Sequence, residues 1–260
     1  ELPLKFSMTR KLTAIRQQML GMQEMDHSSV PENVNATLRG YQTEGVYWLE
    51  RLRNMHLGGI LADDMGLGKT LQAIVAITQL KMVNPNSISL VICPNSLLLN
   101  WKEEIFKFNP DLTSLVVDGT PVQRKKLLKK AGDYDVLITS YTLLQKDIEI
   151  YEKLPLAYSI LDEAQNIKNR TTRNARSVKM LNASYKLILT GTPIENSLEE
   201  LWSLFDFLMP GLLGSYERFV EKYVRQSSLE NKMEHLKRKV APFILRRMKE
   251  DVLKDLPPVS

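Results

Sequence analysis

From Leu38 to Leu189 short apolar runs alternate with longer stretches that place apolar residues at helical spacing. The runs Gly59 to Ala62, Ser89 to Cys93, Ser114 to Val117, Val136 to Ser140, Ser159 to Leu161 and Lys186 to Leu189 predict strands. Helices are predicted between them, over Leu71 to Leu80, Leu97 to Phe108, Val122 to Lys130 and Thr172 to Leu181. Strands without internal polar alternation, separated by helices, predict a parallel sheet covered on both faces, with ligands at the carboxyl ends of the strands. After Pro193 the strands stop in this reading. Leu198 to Leu208, Tyr216 to Arg225, Leu229 to Val240 and Met248 to Leu253 read as helices, punctuated by Pro210-Gly211 and Gly214 and closed by Pro257-Pro258. The chain divides accordingly into a leading segment 1–35, an α/β lobe 36–197 and a helical appendage 198–260. In the leading segment Lys11 to Met25 has loose helical spacing; His27 reads as a loop residue, and Met8, Met19, Met22 and Met25 as packing filler.

Composition supports a folded core: 43% of the 260 residues are apolar. No apolar run is long enough to cross a bilayer, and the start at Glu1 has no signal-peptide layout, so no membrane partner is expected. The reading is a soluble, intracellular fragment of a longer chain. The single cysteine, Cys93, ends an apolar run and is expected in the core. Net charge is +5, with basic clusters at Arg124-Lys125-Lys126 plus Lys129-Lys130, at Lys168 to Arg176, and at Lys237-Arg238-Lys239 plus Arg246-Arg247. A modest cationic excess suits a polyanionic partner.

The chemistry concentrates at two strand ends. Asp63-Asp64-Met65-Gly66-Leu67-Gly68-Lys69-Thr70 lies between a predicted strand and a predicted helix. A glycine-rich turn there aims backbone N–H groups at phosphate oxygens; Lys69 reaches the outer phosphates, and Thr70 offers a hydroxyl to Mg²⁺. Asp63 stands where the general phosphate-loop pattern has its first glycine. Downstream, Asp162-Glu163 ends another buried strand, placing Asp162 to hold Mg²⁺ and Glu163 to orient or deprotonate an attacking water. Together they predict an ATP and Mg²⁺ site.

These blocks, in their order, resemble the Swi/Snf-type family of ATP-dependent DNA translocases within the superfamily 2 helicases, over about Leu38 to Pro258. Leu38-Arg39-Gly40-Tyr41-Gln42 is similar to the family's opening block, with Gly40 where proline is usual; it implies Arg39 and Gln42 at the nucleotide, Gln42 reading the adenine. The phosphate loop, Gly66, Leu67, Gly68, Lys69 and Thr70, matches the family's own form, which also carries an acid where the general pattern has glycine. Ile92-Cys93-Pro94 with Ser96-Leu97 and Asn100-Trp101, and Leu137-Ile138-Thr139-Ser140-Tyr141, resemble DNA-contacting blocks, implying Pro94, Ser96, Thr139 and Ser140 on that side. Asp162-Glu163-Ala164-Gln165 with Lys168-Asn169 resembles the acidic box; Gln165 stands where histidine is commoner, without expected effect on the metal. Thr190-Gly191-Thr192-Pro193-Ile194-Glu195-Asn196 is similar to the block coupling ATP to DNA, and Pro242 to Val252 to the block ending the first lobe.

The resemblance implies a RecA-like first lobe that works on double-stranded DNA together with a second RecA-like lobe of the same parent chain, and acts on a DNA-bound protein. In that family the second lobe supplies arginines worth about 10³ to 10⁵ in rate, so these 260 residues alone are expected to turn over ATP poorly. A bacterial source is favoured over a nuclear one. A nucleotide-gated DNA- or protein-binding module without productive catalysis is the other reading.

Overall fold

A computed structural model of the chain describes residues 29–192, 197–225 and 229–254. The helix expected over Lys11 to Met25, His27, Pro193 to Asn196 of the coupling block and Pro257-Pro258 lie outside the described residues. Among the described residues, seven strands form one parallel sheet in the order β3-β4-β2-β5-β6-β1-β7. They are β1 (Gly59–Leu61), β2 (Ser89–Cys93), β3 (Ser114–Val116), β4 (Val136–Ser140), β5 (Leu156–Leu161), β6 (Ala183–Leu189) and β7 (Ile244–Leu245).

The helices between them are α1 (Gly40–Asn54), α2 (Lys69–Val83), α3 (Leu98–Phe108), α4 (Pro121–Leu128), α5 (Tyr141–Lys146), α6 (Ile148–Tyr151) and α7 (Arg173–Lys179); α8 (Leu198–Leu208), α9 (Tyr216–Val220), α10 (Leu229–Val240) and α11 (Lys249–Lys254) follow β6. Their starts are chemically marked. Thr120, Ser140, Thr172 and Ser197 each accept a backbone N–H from the first turn, and Pro121 sits where a missing N–H costs nothing. Among the described residues no helix is long and apolar enough to cross a membrane.

Side chains of each strand alternate between two buried layers. Leu90 and Ile92 enter the layer that holds Leu201, Leu204, Phe205 and Phe207 of α8; Val91 and Cys93 enter the layer that holds Trp48, Ile74, Ile77, Trp101 and Ile105. Because both layers are full, the strands need no polar face, which is why they read as continuous apolar runs. Cys93 is fully buried as expected, and burial pushes its thiol up to about 12.

Two expectations are corrected. The strands do not stop at Pro193: Ile244–Leu245 pairs in parallel with β1, Ile60 opposite Ile244 and Leu61 opposite Leu245. The 198–260 helices are not separate from the lobe at their start, since α8 buries Leu201, Leu204, Phe205 and Phe207 in the sheet's own core layer. A two-residue strand carries too little pattern to be read, and an amphipathic helix looks the same whether it covers a sheet or another helix.

Candidate nucleotide and DNA site

The loop leaving β1 reverses direction on two glycines. Gly66 and Gly68 have φ of +84° and +85°, a conformation open to glycine and strained for other residues. Gly68 precedes α2 directly, so its loop amides and the first turn of that helix point into one space. A Cβ on Gly68 would come 2.4 Å from Gln42 Nε2. Gly68→Ala is therefore expected to cost about 1–2 kcal/mol from the backbone alone and to weaken nucleotide binding by displacing Gln42. Gly132→Ala, at a position where an added Cβ meets nothing within 4 Å, serves as control. Thermal unfolding and nucleotide titration check this; equal behaviour of the two variants would contradict it.

Lys69 opens α2 and turns back on its own loop, Nζ donating to Asp63 O at 2.7 Å and to Asp64 O at 3.4 Å. Burial pushes its pKa below the usual lysine value, opposed by the carboxylates of Asp63, Asp162, Glu163 and Asp64. The two acids from β5 thus lie within electrostatic reach of the loop lysine, although 93 residues of sequence separate Lys69 from Asp162. Gly191, just past β6, closes the same space: a Cβ there would sit 2.9 Å from Met65 Cγ and 3.7 Å from Lys69 Nζ. Its neighbours tie the turn, Thr190 Oγ1 and Thr192 Oγ1 lying 3.0 Å apart and Thr192 N donating to Thr190 Oγ1. Thr70 is half-buried in the first turn of α2.

Asp162 ends β5 and is 8% exposed. Burial raises its pKa, and the indole N–H of Trp101, donating to Oδ2 at 2.8 Å, acts in the opposite sense. Glu163 N donates to Asp162 Oδ1 at 2.9 Å. Glu163 has φ +50° and receives Gln165 Nε2 on its carboxylate at 2.7 Å. Gln165 therefore touches the acid expected to orient water, a role that its place in the acidic box did not suggest.

Asp63, in place of the pattern's glycine, is fully buried in an ion pair with Arg247. Arg247 donates from N and Nε to Asp63 Oδ1 at 2.9 and 3.0 Å, and from Nη2 to Asp63 Oδ2 at 2.5 Å and Gln72 Oε1 at 2.8 Å. It also donates to the carbonyl of Tyr41 and stacks 5.1 Å from that ring's centre. Asp64 continues the clasp: its Oδ2 accepts Lys249 N at 2.9 Å, and its Oδ1 lies 3.5 Å from Arg246 Nη2. An acid replaces glycine here because the loop is fastened to the end of the lobe.

Gln42 lies against the same loop. Its Oε1 accepts Arg39 N at 2.9 Å, and its Nε2 donates to Leu67 O at 3.2 Å, beside the Tyr41 hydroxyl, which donates to the same carbonyl at 2.8 Å. The Arg39 side chain is exposed at the edge.

At the ends of β2 and β4 lies a cavity of about 370 Å³ lined by Pro94, Asn95, Asp118, Ser140, Tyr141 and Asn166, among others. Pro94 and Ser140, which the resemblance puts on the DNA side, both line it. Ser96 is exposed next to it in sequence, and Lys168 and Asn169 are exposed beyond the acidic box, the Asn169 side chain folded onto Thr171. Thr139 is a correction. It is fully buried, its hydroxyl donating to Val117 O at 3.2 Å, because residues that follow one another in a strand face opposite ways; Ser140, itself only 4% exposed, lines the cavity and accepts Leu143 N at the start of α5.

A smaller cavity of about 250 Å³, lined by Gln145, Lys146, Arg173, Arg176 and Ser177, lies alongside, linked through the hydrogen bond from Gln145 to Asn174 of the first. Two other expected basic clusters have cations turned inward: Arg124 donates to both carboxylate oxygens of Asp147, and Arg247 to Asp63.

A parallel sheet with a glycine loop after β1, an acid pair after β5 and a threonine-glycine turn after β6 defines a RecA-like lobe of the superfamily 2 type. The chain belongs to the SNF2-related family, whose domain matches residues 41–260. Among solved structures it is similar to the Sulfolobus solfataricus SWI2/SNF2 ATPase core in complex with double-stranded DNA: TM-score 0.81, 43% identity, 88% of this chain and 49% of that one covered. It is 42% identical to the TATA-binding protein-associated factor MOT1 of Saccharomyces cerevisiae over 93% of this chain and 14% of that protein. To an ATP-dependent helicase of Mycoplasma pneumoniae, described as uncharacterized, it is 42% identical over 85% of this chain and 21% of that protein. The chain thus spans a minor part of these two relatives, and their division between a eukaryote and a bacterium leaves the bacterial expectation without support.

Proposed function

We propose that this lobe binds ATP with Mg²⁺ and, with a second RecA-like lobe, couples ATP hydrolysis to movement along double-stranded DNA, displacing or remodelling a bound protein. The observation that carries the reading is the gathering of Lys69, Asp162, Glu163 and Gly191 at three strand ends of one sheet. On binding, Lys69 Nζ exchanges the carbonyls of Asp63 and Asp64 for phosphate oxygens, which relieves a buried ammonium of having only neutral partners. The loop amides of Gly66 to Lys69 take the remaining phosphate charge. Glu163 orients the attacking water, with Gln165 holding its carboxylate.

Thr70 and Asp162 would hold the Mg²⁺, a donor set of the kind Mg²⁺ accepts, few protein oxygens with water and phosphate completing the shell. When bound, it supplies positive charge against the charge developing on the phosphates. The partner lobe would contribute arginines, which accounts for slow turnover expected of these 260 residues by themselves.

The relatives support the DNA assignment: the similar Sulfolobus core was solved with a duplex. Here the duplex backbone would run over the cavity at Pro94 and Ser140 and the basic one at Lys146, Arg173 and Arg176. Contacts of this kind position without reading sequence. Replacing both Arg173 and Arg176 by alanine is expected to make the plot of log affinity against log salt shallower by about 0.9 for each phosphate that the protein no longer neutralises, equally for unrelated duplexes. An unaltered slope would remove these arginines from the interface. For the function itself, steady-state ATP hydrolysis by the full-length protein is expected to rise severalfold on adding duplex DNA. An ATPase indifferent to DNA would contradict the proposal.

A further inference from the structure

The acid pair is held from the cavity as well as from the phosphate loop. Tyr141 and Asn166 both line the larger cavity, and each sends one donor to a backbone carbonyl of the pair. The Tyr141 hydroxyl donates to Asp162 O at 2.6 Å, and Asn166 Nδ2 donates to Glu163 O at 2.8 Å. Trp101, which fixes the Asp162 carboxylate, stands on α3, reached directly from the cavity-lining residues Pro94 and Asn95. None of the residues lining the cavity belongs to the phosphate loop, whereas Lys69 feels both carboxylates. The acid pair therefore touches both regions.

Its backbone is also poised. Glu163 occupies left-handed conformation at φ +50°, which an L-residue with a long side chain adopts at a cost. Such a conformation persists while its neighbours over-determine it. Here those neighbours are Asn166 on the carbonyl and Gln165 on the carboxylate. Asn166→Ala removes the Nδ2 donor that ties Glu163 O to the cavity wall and leaves that carbonyl with the Asn166 backbone N–H at 3.2 Å.

We propose that Tyr141 and Asn166 are positioning residues that make the geometry of Asp162-Glu163 depend on a phosphodiester backbone, that of duplex DNA, lying in the cavity. The inference rests on the function proposed above. Phosphates seated against Asn95, Ser140 and Thr142 fix the turn that begins α5 and the strip holding Asn166, and the two carbonyl bonds pass that restraint to the acids. DNA and nucleotide then bias one element with two arrangements, and by linkage each changes the affinity of the other by the same factor.

The test uses Tyr141→Phe, which keeps the ring and removes the hydroxyl, and Asn166→Ala, in the full-length protein. Two quantities are read: the affinity for a non-hydrolysable ATP analogue with and without saturating duplex DNA, and DNA-stimulated kcat. Each variant is expected to lower DNA-stimulated kcat about fivefold or more, with KM for ATP and the Kd for DNA held within about twofold. The DNA-induced change in analogue affinity should shrink toward none. Tyr141→Phe carries the test by itself if Asn166→Ala fails to fold. Wild-type protein coupled to DNA, with both variants coupled equally well, overturns the inference and leaves the proposed function standing. Loss of DNA affinity with unaltered coupling also overturns it, making the two residues simple contacts. Wild-type protein whose analogue affinity ignores DNA while its kcat is still stimulated overturns the inference alone, and wild-type protein with neither quantity moved by DNA overturns the function proposal itself.

Discussion

Lys69→Ala is expected to lower DNA-stimulated ATP hydrolysis by about 10²–10³-fold, the cost of removing one preorganised charge from a transferring phosphoryl group, while leaving thermal stability unchanged or slightly raised. The asymmetry follows from where the ammonium sits. Its pKa is pushed down by burial, so folding disfavours its charged form, and its hydrogen-bond partners in the described structure are the neutral carbonyls of Asp63 and Asp64. A group held in that way destabilises the lobe's own fold rather than supporting it, and it is retained for what it meets when nucleotide binds. ATPase assays and thermal unfolding on the same preparation decide the point. Activity that falls in step with a drop of several degrees in Tm would make Lys69 a structural residue.

Arg247→Ala is expected to produce the largest loss of stability, about 3–5 kcal/mol, because it strands a buried carboxylate. Asp63 is fully buried, and the Arg247 guanidinium meets it through Nε and Nη2, while the backbone N–H that the variant keeps supplies a third bond; the side chain also serves Gln72 and the carbonyl of Tyr41. Lysine cannot reproduce that fork, so Arg247→Lys should recover little. Asp63→Ala with Arg247→Ala should cost clearly less than the two single changes added together, since the double variant leaves no unpaired charge. Denaturant unfolding of the four proteins measures the difference. Strict additivity would show that the pair is not coupled. The same variant should weaken nucleotide binding, because Arg247 holds the start of the phosphate loop against the opening block through Tyr41.

The lobe's sheet was legible because its strands are buried on both faces, and β2 and β4 have the bounds that their apolar runs predict. Helix α1 was harder to see. It buries Gln42, Glu50 and Arg53 beside Trp48 and Leu52, so its inward face is not a clean apolar stripe. Lys69, Thr70, Asp162 and Glu163 stood out in the sequence because phosphate chemistry demands particular residues at contiguous positions next to strand ends, and in the fold the charges of both acids reach Lys69.

Partners distant in sequence could not. Trp101 lies 61 residues from Asp162, and Arg247 lies 184 from Asp63, and neither spacing leaves a periodic trace. The one available hint was Asp63 itself, an acid where a glycine is expected, which implies a buried cation somewhere along the chain. Thr139 misled for a simple reason: a hydroxyl residue beside a loop looks like a contact until the strand's alternation decides which of Thr139 and Ser140 lines the cavity.

If the glycine loop, Lys69, Thr70 and the acids of β5 form one nucleotide site, a crystal structure of the lobe with a non-hydrolysable ATP analogue and Mg²⁺ will show it. Lys69 Nζ should then be released from the Asp63 and Asp64 carbonyls and bonded to the outer phosphates, with Thr70 and Asp162 at the metal. Nucleotide bound elsewhere, or bound with Lys69 still on those carbonyls, would contradict a shared site.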